Sequence, residues 1–196
     1  MDSFLVVGLG NIGSEYAGTR HNVGFMVLDA WAQASNAVFS SKRYGDIAEI
    51  SVKGRKFTLL KPSTYMNLSG NAVRFWLRKL NLPLERLIVV SDDLNLPFGT
   101  VRMRRSGSSG GHNGLENITE LLESDQWIRI RVGIGNDFSR GGQVDFVLGH
   151  LSEDEKKQVP ELAQKVIQGI KDLSTVGPQR AMSFLNVRTK NDVENG

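Results

Sequence analysis

A histidine near the start of the chain stands where a catalytic base could act. His21 lies in Thr19-Arg-His-Asn-Val-Gly24, between a glycine-rich turn and the first helical pattern. Imidazole is the side chain that changes charge closest to neutral pH, so it can take a proton from water and later return it. A lone histidine also occurs as a packing or surface residue, and the position alone leaves both interpretations open.

Two acidic residues could orient that histidine. Asp92-Asp93 follows the apolar run at residues 87–90, which is typical of a buried strand. A carboxylate at the carboxyl end of a strand can accept the Nδ1 proton of an imidazole, which fixes the tautomer and stabilises the protonated ring. Aspartate is also common in turns and helix caps, so the structural interpretation stays open as well.

Three asparagines occupy places where a neutral polar group could bind a substrate. Asn11 lies in the turn after the first apolar run, and Asn67 and Asn113 lie at the entrances of predicted helices. A carboxamide offers donors and an acceptor without charge, which suits an amide or ester carbonyl. For Asn67 and Asn113 the alternative is helix capping.

The glycines around Asn11 match a dinucleotide-binding pattern. Gly8-Leu-Gly-Asn-Ile-Gly13 has the spacing G-x-G-x-x-G, so a nicotinamide-dependent dehydrogenase is one hypothesis, and it predicts tight binding of NAD. That site needs a helix that opens at the third glycine and an acidic residue at the end of a second strand. Residues 14–21 are polar and irregular, and Asp29 falls inside a helical pattern. The pattern therefore favours a tight turn that displays Asn11.

Composition excludes several other classes of protein. The chain has 196 residues, the length of one ordinary domain, and contains no cysteine for a thiolate nucleophile or disulfide. No apolar run approaches the roughly 20 residues that span a bilayer, and the start lacks a signal-peptide pattern. No Ser lies in a G-x-S-x-G elbow and no His-x-x-x-His spacing occurs, which disfavours a serine hydrolase or a zinc peptidase. We expect a cytoplasmic protein without a membrane segment.

The basic residues are unevenly distributed. The formal net charge is only +3, yet residues 50–84 contain seven bases and no acid, and residues 94–115 contain three bases and no acid. Such stretches could form a positive face for a phosphate-bearing partner, or they could be ordinary solvated faces of helices and strands.

Strand and helix patterns alternate along the chain. Apolar runs and period-two alternation predict strands at residues 4–9, 47–52, 56–61, 87–90, 99–104 and 127–134. Helical spacing predicts helices at residues 22–36, 69–80 and 115–122, and a late helix that begins at the capping box Ser152…Glu155 and that Pro160 resets or kinks before residues 162–173. The fold class is therefore α/β, with a mixed sheet between helices. Residues 1–188 are expected to form a single domain, and residues 189–196 a flexible tail.

Taken together, six segments resemble bacterial peptidyl-tRNA hydrolase. They occur in the family's order through most of the chain: residues 7–13, Tyr16 with residues 19–24, residues 61–70, residues 92–97, residues 110–115 and residues 129–135. Two departures are visible, because Ile12 stands where the family usually has proline, and residues 106–109 are rich in serine where glycine and a further histidine are common.

The resemblance implies a fold, an activity and a set of roles. The fold is a three-layer α/β/α sandwich like that of phosphorylases and hydrolases. The activity is cleavage of the ester between a peptide and the 3′ end of tRNA, by a monomer that needs no metal or other cofactor and recycles tRNA for translation. The roles implied are as follows: His21 as general base, Asp92 as its orienting group, Asn11 as the sensor of the acylated amino group, Asn67 and Asn113 as positioning groups, Tyr16 and Tyr65 as contacts to the tRNA end, and Arg104 and Arg131 as a clamp for the tRNA 5′-phosphate.

A non-catalytic RNA-binding protein with the same fold is the main alternative. Such a paralogue would keep the basic face and would not need the polar residues to which the resemblance gives catalytic and positioning roles. The presence of His21, Asp92 and all three asparagines favours the enzyme.

Overall fold

A seven-stranded mixed sheet forms the middle layer of the molecule. In the computed structural model, which describes residues 2–186, the strands run in the order β2-β3-β4-β1-β5-β7-β6. Strands β4, β1, β5 and β7 pair in parallel, and the remaining pairs are antiparallel. The bounds are β1 (Asp2–Gly8), β2 (Ser40–Lys42), β3 (Gly45–Val52), β4 (Arg55–Pro62), β5 (Leu87–Asp93), β6 (Val101–Arg104) and β7 (Ile128–Gly133).

Helices cover both faces of this sheet, as expected for the three-layer sandwich. Their bounds are α1 (Val23–Ala34), α2 (Ser69–Lys79), α3 (Asn113–Leu122), α4 (Gln143–Val147), α5 (Glu153–Val176) and α6 (Pro178–Leu185), with short 3₁₀ turns at Arg20–Asn22, Met66–Leu68 and Leu84–Arg86. One core cluster packs α1, α5 and α6 against the sheet, and a second packs α2 and α3 against its other face. None of the helices within residues 2–186 is both long and apolar enough to cross a bilayer.

The central strands are apolar on both sides because both faces are covered. Along β1, Val6 belongs to one core cluster, whereas Leu5 and Val7 belong to the other. Successive side chains of a strand point to opposite faces, so a continuous apolar run fills two cores at once. Each fully buried aliphatic side chain of this kind contributes about 1.5–3 kcal/mol. These strands therefore give the site a rigid edge.

Several sequence expectations need correction or extension. The capping box at Ser152 and Glu155 is present, but α5 is one helix that continues through Pro160, so the chain does not start a second helix there. Pro160 is exposed, and solvent can therefore satisfy the carbonyl that lacks its helical donor. Strand β2 was not predicted, because its three residues are all exposed and show no apolar pattern. The predicted tail at 189–196, like the last two residues of the predicted domain, lies outside the described residues.

Arg129 departs from the simple alternation predicted for β7. Its side chain is fully buried, with the guanidinium carbon 3.6 Å from the ring centroid of Trp127. It donates hydrogen bonds to the backbone oxygens of Gly107, Asp125 and Trp127. Burial lowers the pKa of Arg129 to about 10, and the neighbouring charge of Arg131 acts in the same direction. Arg129 therefore holds the loop that leads to α3 and does not belong to an outer positive face.

Candidate active site

Two glycines bring the start of α1 against the carboxyl ends of β1 and β5. A Cβ atom on Gly8 would lie 2.4 Å from the backbone oxygen of Gly24, and one on Gly24 would lie 2.7 Å from the backbone oxygen of Val90. Backbone contacts this close admit only glycine. The 3₁₀ turn Arg20–Asn22 consequently lies on the sheet edge at which β5 ends.

This packing joins His21 to Asp92, although 71 positions separate them in the chain. The His21 Nδ1 atom lies 2.7 Å from Asp92 Oδ2. Asp92 is buried, and His21 keeps 15% of its side chain exposed. Asp92 is the last residue but one of strand β5. The sequence pattern had placed it just after the strand. The pair has the geometry of a carboxylate that orients an imidazole.

A second histidine completes the cluster, and sequence reasoning missed it. His112 Nε2 lies 2.8 Å from the other oxygen of Asp92, Oδ1, and the two imidazole rings are 5.1 Å apart between centroids. His112 is also the N-cap of α3, because the backbone N–H groups of Gly114 and Leu115 donate to its Nδ1. Its position immediately before a predicted helix was the signal that could have identified it.

These contacts assign the hydrogens of the cluster. The His112 Nδ1 atom accepts two backbone hydrogens, so its Nε2 carries the hydrogen and donates to Asp92. Asp92, as a carboxylate, also accepts from His21 Nδ1, which leaves the lone pair of His21 on Nε2. Of the two rings, His21 is therefore the one whose free nitrogen can accept a proton.

The electrostatics keep Asp92 ionised. Burial acts to raise the pKa of Asp92, but the electrostatic attraction and hydrogen bond of the donating His112 ring, together with those of His21, outweigh it and hold the pKa well below its usual range. An ionised Asp92 favours a protonated His21, which is the state that His21 reaches after it takes a proton from water.

The same three residues are close enough to be considered as a metal site. Their ligand atoms lie within 4.8 Å of one another. However, both oxygens of Asp92 accept hydrogen bonds from the rings, and the Nε2 of His112 carries a hydrogen and has no lone pair for a cation. The donor set therefore fits a hydrogen-bonded histidine–aspartate cluster better than a metal centre.

The cluster opens into a cleft that also contains other predicted site residues. His21, Asp92, His112, Asn113 and Arg131 all line it, and α4 forms part of its wall. Arg131 donates to the backbone oxygen of Ser108 and lies 3.7 Å from Asp93. Asn113 is the first residue of α3 and is exposed, so the cap of that helix is His112 and not the asparagine.

Asn11 does not line this cleft but a separate depression at the turn after β1, where backbone contacts fix it. Its backbone N–H and C=O pair with the side chain of the buried Asn22, each at 2.8 Å. The Asn11 Oδ1 atom accepts from the backbone N–H of Met66 at 3.2 Å. The Asn11 Nδ2 group is therefore the end of the side chain left for a ligand. No helix opens at Gly13, since the chain makes turns until Arg20, and the glycine pattern lacks the helix that a dinucleotide site requires.

The remaining predicted residues lie around or away from the cleft. Asn67 and Tyr65 flank Met66 on the segment before α2, and both are exposed. Tyr16 is half-buried in the turn between β1 and the 3₁₀ turn that carries His21. Arg104 is exposed on β6, where it pairs in register with Arg129 and does not line the cleft. The structure thus brings His21, Asp92, Asn113 and Arg131 together and leaves Arg104 outside.

Fold and site together define an α/β/α protein with a carboxylate-oriented imidazole, an arrangement suited to activating water. Comparisons with known proteins agree with that class. The sequence model of the family described as Peptidyl-tRNA hydrolase matches residues 5–194. A peptidyl-tRNA hydrolase from Phocaeicola vulgatus is 54% identical over 93% of this chain and 98% of its own length. The one from Bacteroides fragilis strain ATCC 25285 is 52% identical over 93% and 98%.

A solved structure shows the same architecture. The crystal structure of peptidyl-tRNA hydrolase from Acinetobacter baumannii aligns with a TM-score of 0.88 at 31% sequence identity, covering 95% of each chain. The chain belongs to the peptidyl-tRNA hydrolase family. It is therefore a hydrolase, and the resemblance found in its sequence motifs is confirmed.

Proposed function

We propose that this chain hydrolyses the ester bond between the peptide and the tRNA 3′ end of peptidyl-tRNA, with His21 as the general base. The observation that carries the proposal is the His21–Asp92–His112 cluster, in which a single ring nitrogen, Nε2 of His21, is left for a proton. The family to which the chain belongs supplies the substrate class.

The reaction needs one proton carrier. The Nε2 atom of His21 takes a proton from water, and the resulting hydroxide attacks the ester carbonyl to form a tetrahedral oxyanion. The protonated His21 then gives the proton to the departing 3′-oxygen of the tRNA, which releases a free peptide acid and intact tRNA. Asp92 stabilises the intermediate imidazolium. General-base catalysis of this type contributes about 10²–10⁴-fold.

The asparagines position the substrate. The Nδ2 group of Asn11 faces outward because Met66 occupies its oxygen, so it donates to the carbonyl next to the acylated amino group. That contact separates peptidyl esters from free aminoacyl esters. Asn113, at the start of α3 and in the cleft, and Asn67, exposed on the 3₁₀ turn before α2, orient the ester and the attacking water. Donors aimed at the developing oxyanion contribute a few kcal/mol.

The tRNA end makes further contacts at the rim. Tyr65 is 75% exposed and offers a ring face to a base, and Tyr16 lies on the neighbouring turn. Arg131 faces the cleft and, with the exposed Arg104, holds the 5′-phosphate of the acceptor arm.

The same proposal covers the setting in which the enzyme works. It acts as a cytoplasmic monomer, a single domain over residues 1–188 with residues 189–196 as a tail, and recycles tRNA during translation. Family membership and the resemblance of the motifs support these statements.

Hydrolysis of an N-blocked aminoacyl-tRNA by the purified protein tests the proposal. We expect turnover that falls at least about 10²-fold in His21→Ala and strongly in Asp92→Asn, because the first removes the base and the second its orienting charge. Binding of tRNA should persist in both variants. Binding by the wild-type protein without hydrolysis would instead identify the non-catalytic RNA-binding paralogue.

A further inference from the structure

A second concave surface lies on the outer side of α2, away from the His21 cleft. This groove, called the α2 groove below, has mixed aromatic and basic walls. It is lined by Tyr44, Asn71, Arg74, Phe75, Arg78 and Lys79.

The cations of the α2 groove are unneutralised. Within residues 2–186, Arg74, Arg78 and Lys79 make no ion pair, and neither does the adjacent Arg43. Six basic side chains elsewhere in the described residues do pair with acids, for example Lys61 with Asp29 at 2.6 Å. No acidic residue lines the groove, and the sequence from 50 to 84 contains none. Like charges gathered without counter-charges attract a polyanion.

The aromatic wall of the groove is held in place. The ring centroids of Tyr44 and Phe75 are 5.4 Å apart in an edge contact, and the guanidinium carbon of Arg43 lies 5.2 Å from each. Trp76 fixes this segment to α2, because its Nε1 donates to the backbone oxygen of Arg43 at 2.8 Å. Aromatic rings beside arginines form a platform for nucleotide bases and a track for phosphates.

Helix α2 links the groove to the neighbourhood of the candidate site. The 3₁₀ turn just before α2 contacts α3, whose first residue, Asn113, lines the cleft. On α2 itself, Asn71, Arg74 and Arg78 follow at the spacing of one helix face. At 1.5 Å per residue, Asn71 to Arg78 spans about 10 Å along the helix.

We propose that the α2 groove binds the RNA backbone of the substrate tRNA at nucleotides outside the 3′ end that enters the cleft. This inference rests on the proposed function, which supplies a polyanion whenever the enzyme acts. An acidic protein segment would use the cations, but it would leave the two-ring platform and its stacked arginine without a role. The groove contributes affinity and not chemistry, because its residues are separate from the His21 cluster.

A charge-reversal pair with a matched control tests the proposal. Arg74→Glu/Arg78→Glu changes the groove, and Lys157→Glu/Lys165→Glu makes the same net change on exposed positions of α5, on the opposite face of the sheet. We expect the groove variant to raise KM for N-blocked aminoacyl-tRNA at least about tenfold with kcat within twofold. The slope of log affinity for uncharged tRNA against log salt should fall by about 1 to 2, since each lost phosphate contact removes about 0.7–0.9.

Further measurements distinguish failure of the groove proposal from failure of the proposed hydrolysis and from misfolding of the variant. A blocked aminoacyl ester of adenosine, which lacks the tRNA body, should be hydrolysed equally by the wild-type protein and the groove variant. Equal tRNA affinity in the groove and control variants would overturn the proposal and leave an acidic protein as the candidate partner. A loss with the short ester as large as the loss with tRNA would also overturn it.

Arg74→Gln/Arg78→Gln, with a smaller effect in the same direction, guards against misfolding of the reversal variant. Binding of uncharged tRNA tests the groove even if the wild-type protein fails to hydrolyse the ester.

Discussion

At the scale of single residues, the site depends on one carboxylate shared by two imidazoles with different duties. His112 uses Nδ1 to cap α3 and Nε2 to bind Asp92, so its hydrogen is fixed by the backbone. Within residues 2–186, the His21 ring makes one hydrogen bond, from Nδ1 to Asp92, and this leaves Nε2 for the cleft. The site therefore has one base and one permanently donating ring.

The two duties of His112 can be separated by substitution. Asparagine is a favourable N-cap, but a capping asparagine is too short to reach Asp92 as well. We expect His112→Asn to keep the unfolding midpoint within a few degrees of wild type and to lower kcat about 10–100-fold. His112→Ala should lower both, with about 1 kcal/mol lost with the cap. Thermal unfolding and steady-state kinetics check this, and a His112→Asn enzyme with wild-type kcat would show that the hydrogen bond from His112 to Asp92 does not support catalysis.

Asp92 links stability to acid. Its pKa is held low in the folded protein, so below about pH 4 the unfolded chain binds a proton that the folded chain does not, and the free energy of unfolding decreases as pH falls. We expect Asp92→Asn to be less stable than wild type at neutral pH and to lose stability less steeply below about pH 4.

Urea unfolding at a series of pH values measures this effect. Glu161→Gln, an exposed carboxylate on α5, is the matched control and should keep the steep acid limb of the wild type. An Asp92→Asn protein whose stability falls with acid as steeply as the control would contradict the assigned electrostatics.

At the scale of elements, the apolar strands and amphipathic helices were predictable because their patterns reflect burial on one or both sides. Asp92 and His21 were found as candidates in this way, each at the end of a recognisable element. His112 and Arg129 were not assigned, because their roles come from tertiary contacts that leave no periodic trace: His112 binds Asp92 on β5, and Arg129 binds the loop before α3. Strand β2 was missed because its exposed residues carry no apolar signal.

The loop before α3 is held in place by Arg129. Arg129 donates to the backbone oxygens of Gly107, Asp125 and Trp127, so Arg129→Met leaves these acceptors without their donor. We expect a loss of about 2 kcal/mol or more in the free energy of unfolding, and lower kcat because the loop leads to His112. Arg86→Met, at a half-exposed ion pair with Asp2, should cost less than about 1 kcal/mol. Equal losses in the two variants, measured by denaturant unfolding, would contradict the role given to Arg129.

In the whole molecule, the carboxyl ends of the central strands bring together site residues from distant parts of the chain. Two glycines seat the 3₁₀ turn of His21 on the edge, β5 supplies Asp92, and the loop tied down by Arg129 supplies His112. The general architecture and the histidine–aspartate pair were predicted from motifs. For the α2 groove the sequence showed only a stretch without acidic residues, because a sequence does not show which cations lie together in the fold.

The pH dependence of hydrolysis shows whether neutral His21 takes the proton from water. The measurement is kcat/KM for N-blocked aminoacyl-tRNA from about pH 5 to about pH 8, corrected for spontaneous hydrolysis. We expect a rate that falls on the acid side, tending toward tenfold per pH unit, as the base becomes protonated, and a residual rate in His21→Ala that lacks this fall. A wild-type rate that stays flat across that range would rule out His21 as the base.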